Sequence, residues 1–77
     1  MSKRKHKYYI GQLVRMLNSP YVAERFRGKY GYIQKHANAS SVLIGQEPEY
    51  DIIIQAIPDH KWRVFQRELQ EVTTNDV

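Results

Sequence analysis

Apolar residues come in short runs along this chain, each closed by a polar or turn-forming cluster. From Tyr8 to Leu17 two periods compete. Ile10, Leu13, Val14 and Leu17 fit the i, i+3, i+4, i+7 helix template, but Gly11 interrupts it and Asn18-Ser19-Pro20 ends it sharply. Val14 and Met16 flank Arg15 in strict alternation, so we read a half-buried strand. Asn18 to Gly28 is a polar connection whose apolar members, Tyr21-Val22-Ala23 and Phe26, are expected to fold back on the core. It is long for a loop, and loops of that length are often functional. Lys29 to His36 reads as a strand, with Gly31, Ile33 and Lys35 on one face and Tyr30, Tyr32, Gln34 and His36 on the other. Ala37-Asn38-Ala39-Ser40 is a turn, and Ser41 to Gly45, with Val42-Leu43-Ile44, is the return strand of a hairpin. Gln46 to Tyr50 is an acidic turn. Asp51 to Ile57 holds Ile52-Ile53-Ile54, the strongest strand signal in the chain, and Pro58-Asp59-His60 breaks it. Lys61 to Val72 has two readings. Trp62, Phe65, Leu69 and Val72 lie at helical spacing; alternatively Trp62–Phe65 is a strand, Gln66–Glu68 a tight turn and Leu69–Val72 a short closing strand.

Short strands separated by turn signals every 8–12 residues or so predict a small all-β barrel or sandwich of five or six strands. The rival is an α+β domain, with helices over 8–17 and 60–72 flanking a three-stranded sheet. Four stretches resemble an SH3-like β-barrel: Gly11-Gln-Leu-Val14, Phe26-Arg-Gly28-Lys-Tyr-Gly31-Tyr-Ile33, Val42-Leu-Ile44 and Leu69-Gln-Glu-Val72. Gly28-x-x-Gly31-x-Ile33 is similar to the KOW motif of certain ribosomal proteins and transcription elongation factors. The ending, an apolar strand, a polar turn and Leu-x-x-Val, is similar to small SH3-like accessory subunits that dock on photosystem or reductase complexes. The resemblance covers roughly residues 10–72. It implies either docking on a protein complex or nucleic-acid binding, because one fold hosts several functions.

Size and composition narrow the field. The 77 residues make one domain. A chain this short buries only about 60–65% of its unfolded surface, so most of its working surface is outside surface. Residues 1–7 are expected to be a disordered basic tail, 8–72 the single domain and 73–77 a second disordered tail. Cysteine is absent, which excludes disulfides and thiolate chemistry and favours a reducing, cytoplasmic setting. No apolar stretch follows the basic start or reaches membrane-spanning length. Charge is unevenly placed. Residues 1–36 hold nine cations and one acid (+8), and residues 37–77 hold three cations and seven acids (−4), which together give +4. A basic face and an acidic face are therefore expected on one small body.

Two candidate surfaces follow. The first docks a larger protein through the long loop, using Tyr21, Arg25 and Phe26, with Trp62 as an aromatic anchor. The bland alternative for Trp62, favoured in so small a chain, is to close one end of the core. The second surface binds RNA or DNA through interleaved basic and aromatic residues: Lys3, Arg4 and Lys5 of the tail, then Arg25, Arg27, Lys29, Tyr30, Tyr32 and Lys35. Tyrosine rings stack bases at about 1–3 kcal/mol each, and cations neutralise phosphates. The bland alternative is a solvated cationic strand. The three histidines, His6, His36 and His60, form no HxH or HxxxH pair, so no metal site is expected. Nothing resembles a nucleophile elbow or a phosphate loop, so no catalytic residue and no cofactor are assigned. The apolar content and the acidic second half rank protein docking ahead of nucleic-acid binding.

Overall fold

A computed structural model describes residues 5–73. Five strands, β1 (Leu13–Met16), β2 (Tyr30–His36), β3 (Glu49–Ile54), β4 (Ile57–Phe65) and β5 (Leu69–Glu71), form one antiparallel sheet in the order β4-β3-β2-β1-β5. The protein is therefore mostly β. The segments offered as helices in the α+β alternative are strand, turn and loop instead. Among the described residues helix is confined to one turn, α1 (Ala39–Val42), and to single 3₁₀ turns at Glu24–Phe26 and Gln66–Glu68. Among the described residues no helix is long and apolar enough to cross a membrane.

Alternation explains the core. Val14 and Met16 on β1, Ile33 on β2, Tyr50, Ile52 and Ile54 on β3, Val64 on β4 and Leu69 on β5 all face inward and are buried. Between them Arg15, Tyr32, Asp51, Ile53 and Arg63 face outward. One methylene of such burial is worth about 0.8 kcal/mol, so this inward row is the main source of stability. Gly31 is required by contact: a Cβ there would stand 2.8 Å from the Ile53 carbonyl oxygen. Gly28, at φ +72°, supplies the left-handed residue that turns the chain into β2.

Four sequence expectations need correction. On β2 the alternation predicted Lys35 on the face of Ile33. The register slips between them, Ile33 pairing with Ile52 and Lys35 with Asp51, so the extra residue Gln34 forms a bulge. Lys35 is thereby exposed, and His36, opposite buried Tyr50, turns inward.

The return strand expected at Ser41–Gly45 does not form. β2 has β1 on one side, and the Glu49–Ile54 strand takes the other. The β-branched run Val42-Leu43-Ile44 is left in α1 and the turn after it. Asn38 closes the neck of this lobe. Its Nδ2 donates to the Glu47 carbonyl at 2.7 Å, and its Oδ1 accepts from the Glu49 N–H at 2.8 Å.

The acidic turn expected over Gln46–Tyr50 stops early, because Glu49 and Tyr50 already belong to β3. Finally, Pro58-Asp59-His60 does not break the chain. Ile54 pairs with Ile57 and Ile53 with Lys61, so those three residues lie between successive pairs of β4. Proline is tolerated there because β4 ends the sheet and the irregularity asks no ladder donor of it. The turn lies earlier, at Gln55-Ala56.

The strand–turn–strand reading of 61–72 matches β4, the 3₁₀ turn and β5. The turn is capped: the Glu68 carboxylate accepts from the Phe65 N–H at 2.8 Å.

Candidate functional site

The long connection between β1 and β2 is fixed in place rather than loose. Val22 and Phe26 sink into the core at 1% and 7% exposure. The Arg27 guanidinium gathers three carbonyls of its own loop: Nε donates to Ser19 and Val22 at 2.8 Å each, and Nη2 to Pro20 at 3.3 Å. A charged fork satisfying main-chain oxygens rigidifies a loop that has no ladder of its own.

This arrangement joins three of the four docking candidates. Phe26 packs against Trp62 with ring centroids 4.7 Å apart, and the Arg25 guanidinium lies over both rings at 4.7 and 5.2 Å. Phe26 is core, so it supports the cluster from beneath and is not itself an anchor. Trp62 is half-buried against the core, with His60 at its edge 5.9 Å away. Its indole N–H is shielded and has no hydrogen-bond partner among the described residues. Tyr21 stands apart. It is exposed, and its hydroxyl reaches towards the Arg67 carbonyl at 3.5 Å.

The basic aromatic set is divided. Tyr30 and Tyr32 stand on the outer face of β2, where cross-strand pairing sets Leu13, Tyr32, Ile53 and Lys61 in a row. Arg15, which the sequence reading did not single out, lies over the Tyr30 ring at 5.6 Å. The Tyr32 hydroxyl accepts from Gln55 Nε2 at 2.9 Å. Lys29 and Lys35 are exposed. Arg27 is spent inside its loop, and Arg25 sits with Trp62, which belongs to the inward row of β4. Those two arginines therefore do not join the tyrosines. Lys3 and Arg4 lie outside the described residues.

A second constellation, absent from the sequence reading, gathers at the start of the chain. The basic tail expected over 1–7 is described from Lys5 onward, and there it is hydrogen-bonded to the sheet. His6 Nε2 donates to the Glu49 carbonyl at 2.9 Å, and the Lys7 N–H donates to Gln66 Oε1 at 2.8 Å. The His6 and His36 rings stack 4.3 Å apart at 10°, both edge-on to Tyr50. His36 Nε2 donates to the Tyr8 carbonyl at 2.7 Å. Gln66 Oε1 also accepts from the Tyr50 hydroxyl, whose oxygen accepts from the Tyr8 N–H at 3.1 Å. Burial lowers the His6 pKa below its ordinary value of 6.5, and nearby His36 pulls the same way. Burial raises Tyr8 and Tyr50, keeping both phenols protonated. Spacing alone gives no sign that residues 6, 36 and 50 meet. The contact depends on the β2 bulge, which turns His36 inward.

The acids of the second half are partly consumed. Arg63 pairs with Asp51 at 2.9 Å across β3 and β4, and Arg67 pairs with Glu47 at 2.6 Å. Among the described residues no three His, Cys, Asp or Glu side chains converge as a metal site would require. No family model matches this chain, and neither a curated protein nor a solved structure matches it.

Proposed function

We propose that this protein is a non-catalytic docking module of the SH3-like barrel type, an accessory or regulatory subunit that acts by occupying the surface of a larger protein complex. The observation that carries this reading is where the exposed apolar groups lie. Tyr9, Ile10, Tyr21, Leu43 and Ile44 are each at least 60% exposed, and all five stand on turns and connections rather than on strands. Large apolar side chains held out on loops above a fixed sheet are the common form of a recognition surface. The barrel assignment is supported by the antiparallel order β4-β3-β2-β1-β5, the long first connection, the tight β3–β4 turn and the 3₁₀ turn before the short last strand. The test is capture of a partner complex by the immobilised protein, repeated with Tyr21→Ser and with Leu43→Ser/Ile44→Ser. Loss of the captured complex by folded variants is the expected result. Undiminished capture by both sinks the loop assignment.

A second reading is RNA or DNA binding on the outer face, favoured by Arg15 over Tyr30 and by Lys61 in one row with Tyr32. Titration with labelled RNA and DNA at several salt concentrations tests it. A steep fall of log affinity with log salt, reduced by Arg15→Glu with Lys61→Glu, would promote this reading. No binding at low salt would remove it.

A further inference from the structure

A pocket of about 520 Å³ opens where the N-terminal segment crosses the 3₁₀ turn before β5. Its cationic lining is Lys5, Lys7 and Arg67, and its apolar lining is Tyr8, Pro48 and Leu69. We propose that this pocket receives an acidic peptide segment of the partner, one that alternates carboxylates with apolar side chains. The proposal rests on the docking reading and supplies the partner's chemistry.

The argument is charge, shape and rigidity. Glu47, the acid in the wall, is already engaged: its carboxylate accepts from the Arg67 side chain at 2.6 Å and from the Arg67 N–H at 3.1 Å. It thus offsets Arg67, while Lys5 and Lys7 make no ion pair among the described residues. Two lysines without an ion pair thus line a cavity of the size that holds a few side chains, since ligand pockets run to about 300–1,000 Å³, and the Lys7 ammonium sits over the Tyr8 ring at 5.5 Å. The wall is built before anything binds. Gln66 Oε1 accepts from both the Lys7 N–H and the Tyr50 hydroxyl, tying the lysine-bearing segment to the turn. A pre-ordered wall lowers the ordering cost of binding. Nucleic acid fits less well. The three cations cluster round one open pocket rather than track a strand.

The experiment is amide NMR of the full chain at low salt with an acetylated Glu-Leu-Glu-Glu-Leu-Glu peptide and its Gln-for-Glu counterpart. The acidic peptide should shift Lys7, Tyr8, Gln66 and Leu69, and the neutral one should not. Lys5→Gln with Lys7→Gln should weaken binding about tenfold, because these side chains give steering and charge contacts and support the fold by little more than the Lys7 contact with the Tyr8 ring. Silence at millimolar peptide, shifts spread over Lys29 and Lys35, or unchanged affinity in the double variant would each overturn the pocket. Single-stranded RNA producing the same shifts more tightly would overturn the peptide assignment. Leu43→Ser/Ile44→Ser leaves the pocket lining intact. Loss of capture in that variant, with capture retained in the lysine double variant, would discard the pocket and leave docking standing.

Discussion

Two connections of similar length leave the sheet, one over residues 17–29 and the other over 37–48, and they are held in opposite ways. The first is anchored along its length, with Val22 and Phe26 in the core and Arg27 drawing three carbonyls inward. The second is tied at its neck by Asn38 and at its end by the Glu47–Arg67 contacts, and it buries Val42 and Pro48, while Leu43 and Ile44 between them project at 67% and 82% exposure. The contrast shows that a loop's apolar content does not decide whether it packs. What decides is whether a groove in the core is open beside it. The 17–29 loop finds Trp62, the 37–48 loop finds a sheet position already filled by β3, and its aliphatic residues stay in water.

The contrast should break most visibly at Phe26. Phe26→Ala removes the ring beneath Trp62 and Arg25 and should cost about 3–5 kcal/mol, measured by denaturant unfolding. A cost below about 1 kcal/mol would mean that the 17–29 loop is not core. Arg27→Ala comes next, at about 1.5–3 kcal/mol, since charge-assisted bonds to three carbonyls disappear together. Arg27→Lys should recover little, because one ammonium cannot reproduce the planar fork.

The 37–48 loop should tolerate more. Asn38→Ala removes a donor to Glu47 and an acceptor for the Glu49 N–H, and should cost about 1–2 kcal/mol. Its mark should be faster amide exchange at Glu49, with exchange at Val22 unchanged. At the N-terminal segment the effect is smaller and set by pH. The His6 pKa is lowered on folding, so the detached segment takes up the proton more readily. Attachment is therefore complete above about pH 6.5 and is lost as pH falls towards the lowered value. The groups facing the ring are His36, stacked on it, Tyr50, edge-on to it, the Glu49 carbonyl, which accepts from it, and the Asn38 side chain. Shifts of the Lys7 and Glu49 amides between pH 7.5 and about 5 should report this. His6→Gln should flatten the response, and an unchanged response would put the titration elsewhere.

Much of the sheet was legible because its signal is local. Arg15 between Val14 and Met16, the Ile52–Ile54 run and the polar Gln66–Glu68 interval each mark their own element. What failed was long-range. Val42-Leu43-Ile44 carries strand propensity as strong as many strands, yet the neighbouring position in the sheet was already taken, and no window of sequence records that. Pro58 marks a break correctly as a local rule, but an edge strand with unpaired residues can absorb it. The candidate site divided likewise. Arg25, Phe26 and Trp62 were named with Tyr21 as one docking surface, and the fold brings those three together but sets Tyr21 apart. The His6–His36–Tyr50 group and the Lys5–Lys7–Arg67 pocket depend on a bulge and a chain crossing, so neither left a spacing to find.

The smallest stability effect should fall on the residues that matter most for docking. Leu43→Ser with Ile44→Ser should leave unfolding within about 0.5 kcal/mol of the parent, since exposed side chains far from the core add little. Tyr21→Ser should do the same, because its one described contact is a 3.5 Å approach to Arg67. Both variants should nonetheless lose partner capture, while Asn38→Ala, costlier to the fold, should weaken capture only as far as it loosens the lobe that presents Leu43 and Ile44. Capture that tracks unfolding free energy across all these variants would mean that the partner reads the fold as a whole. Capture that follows exposed apolar area and ignores stability would assign recognition to the side chains that both loops leave in water, Tyr21 on one and Leu43 and Ile44 on the other.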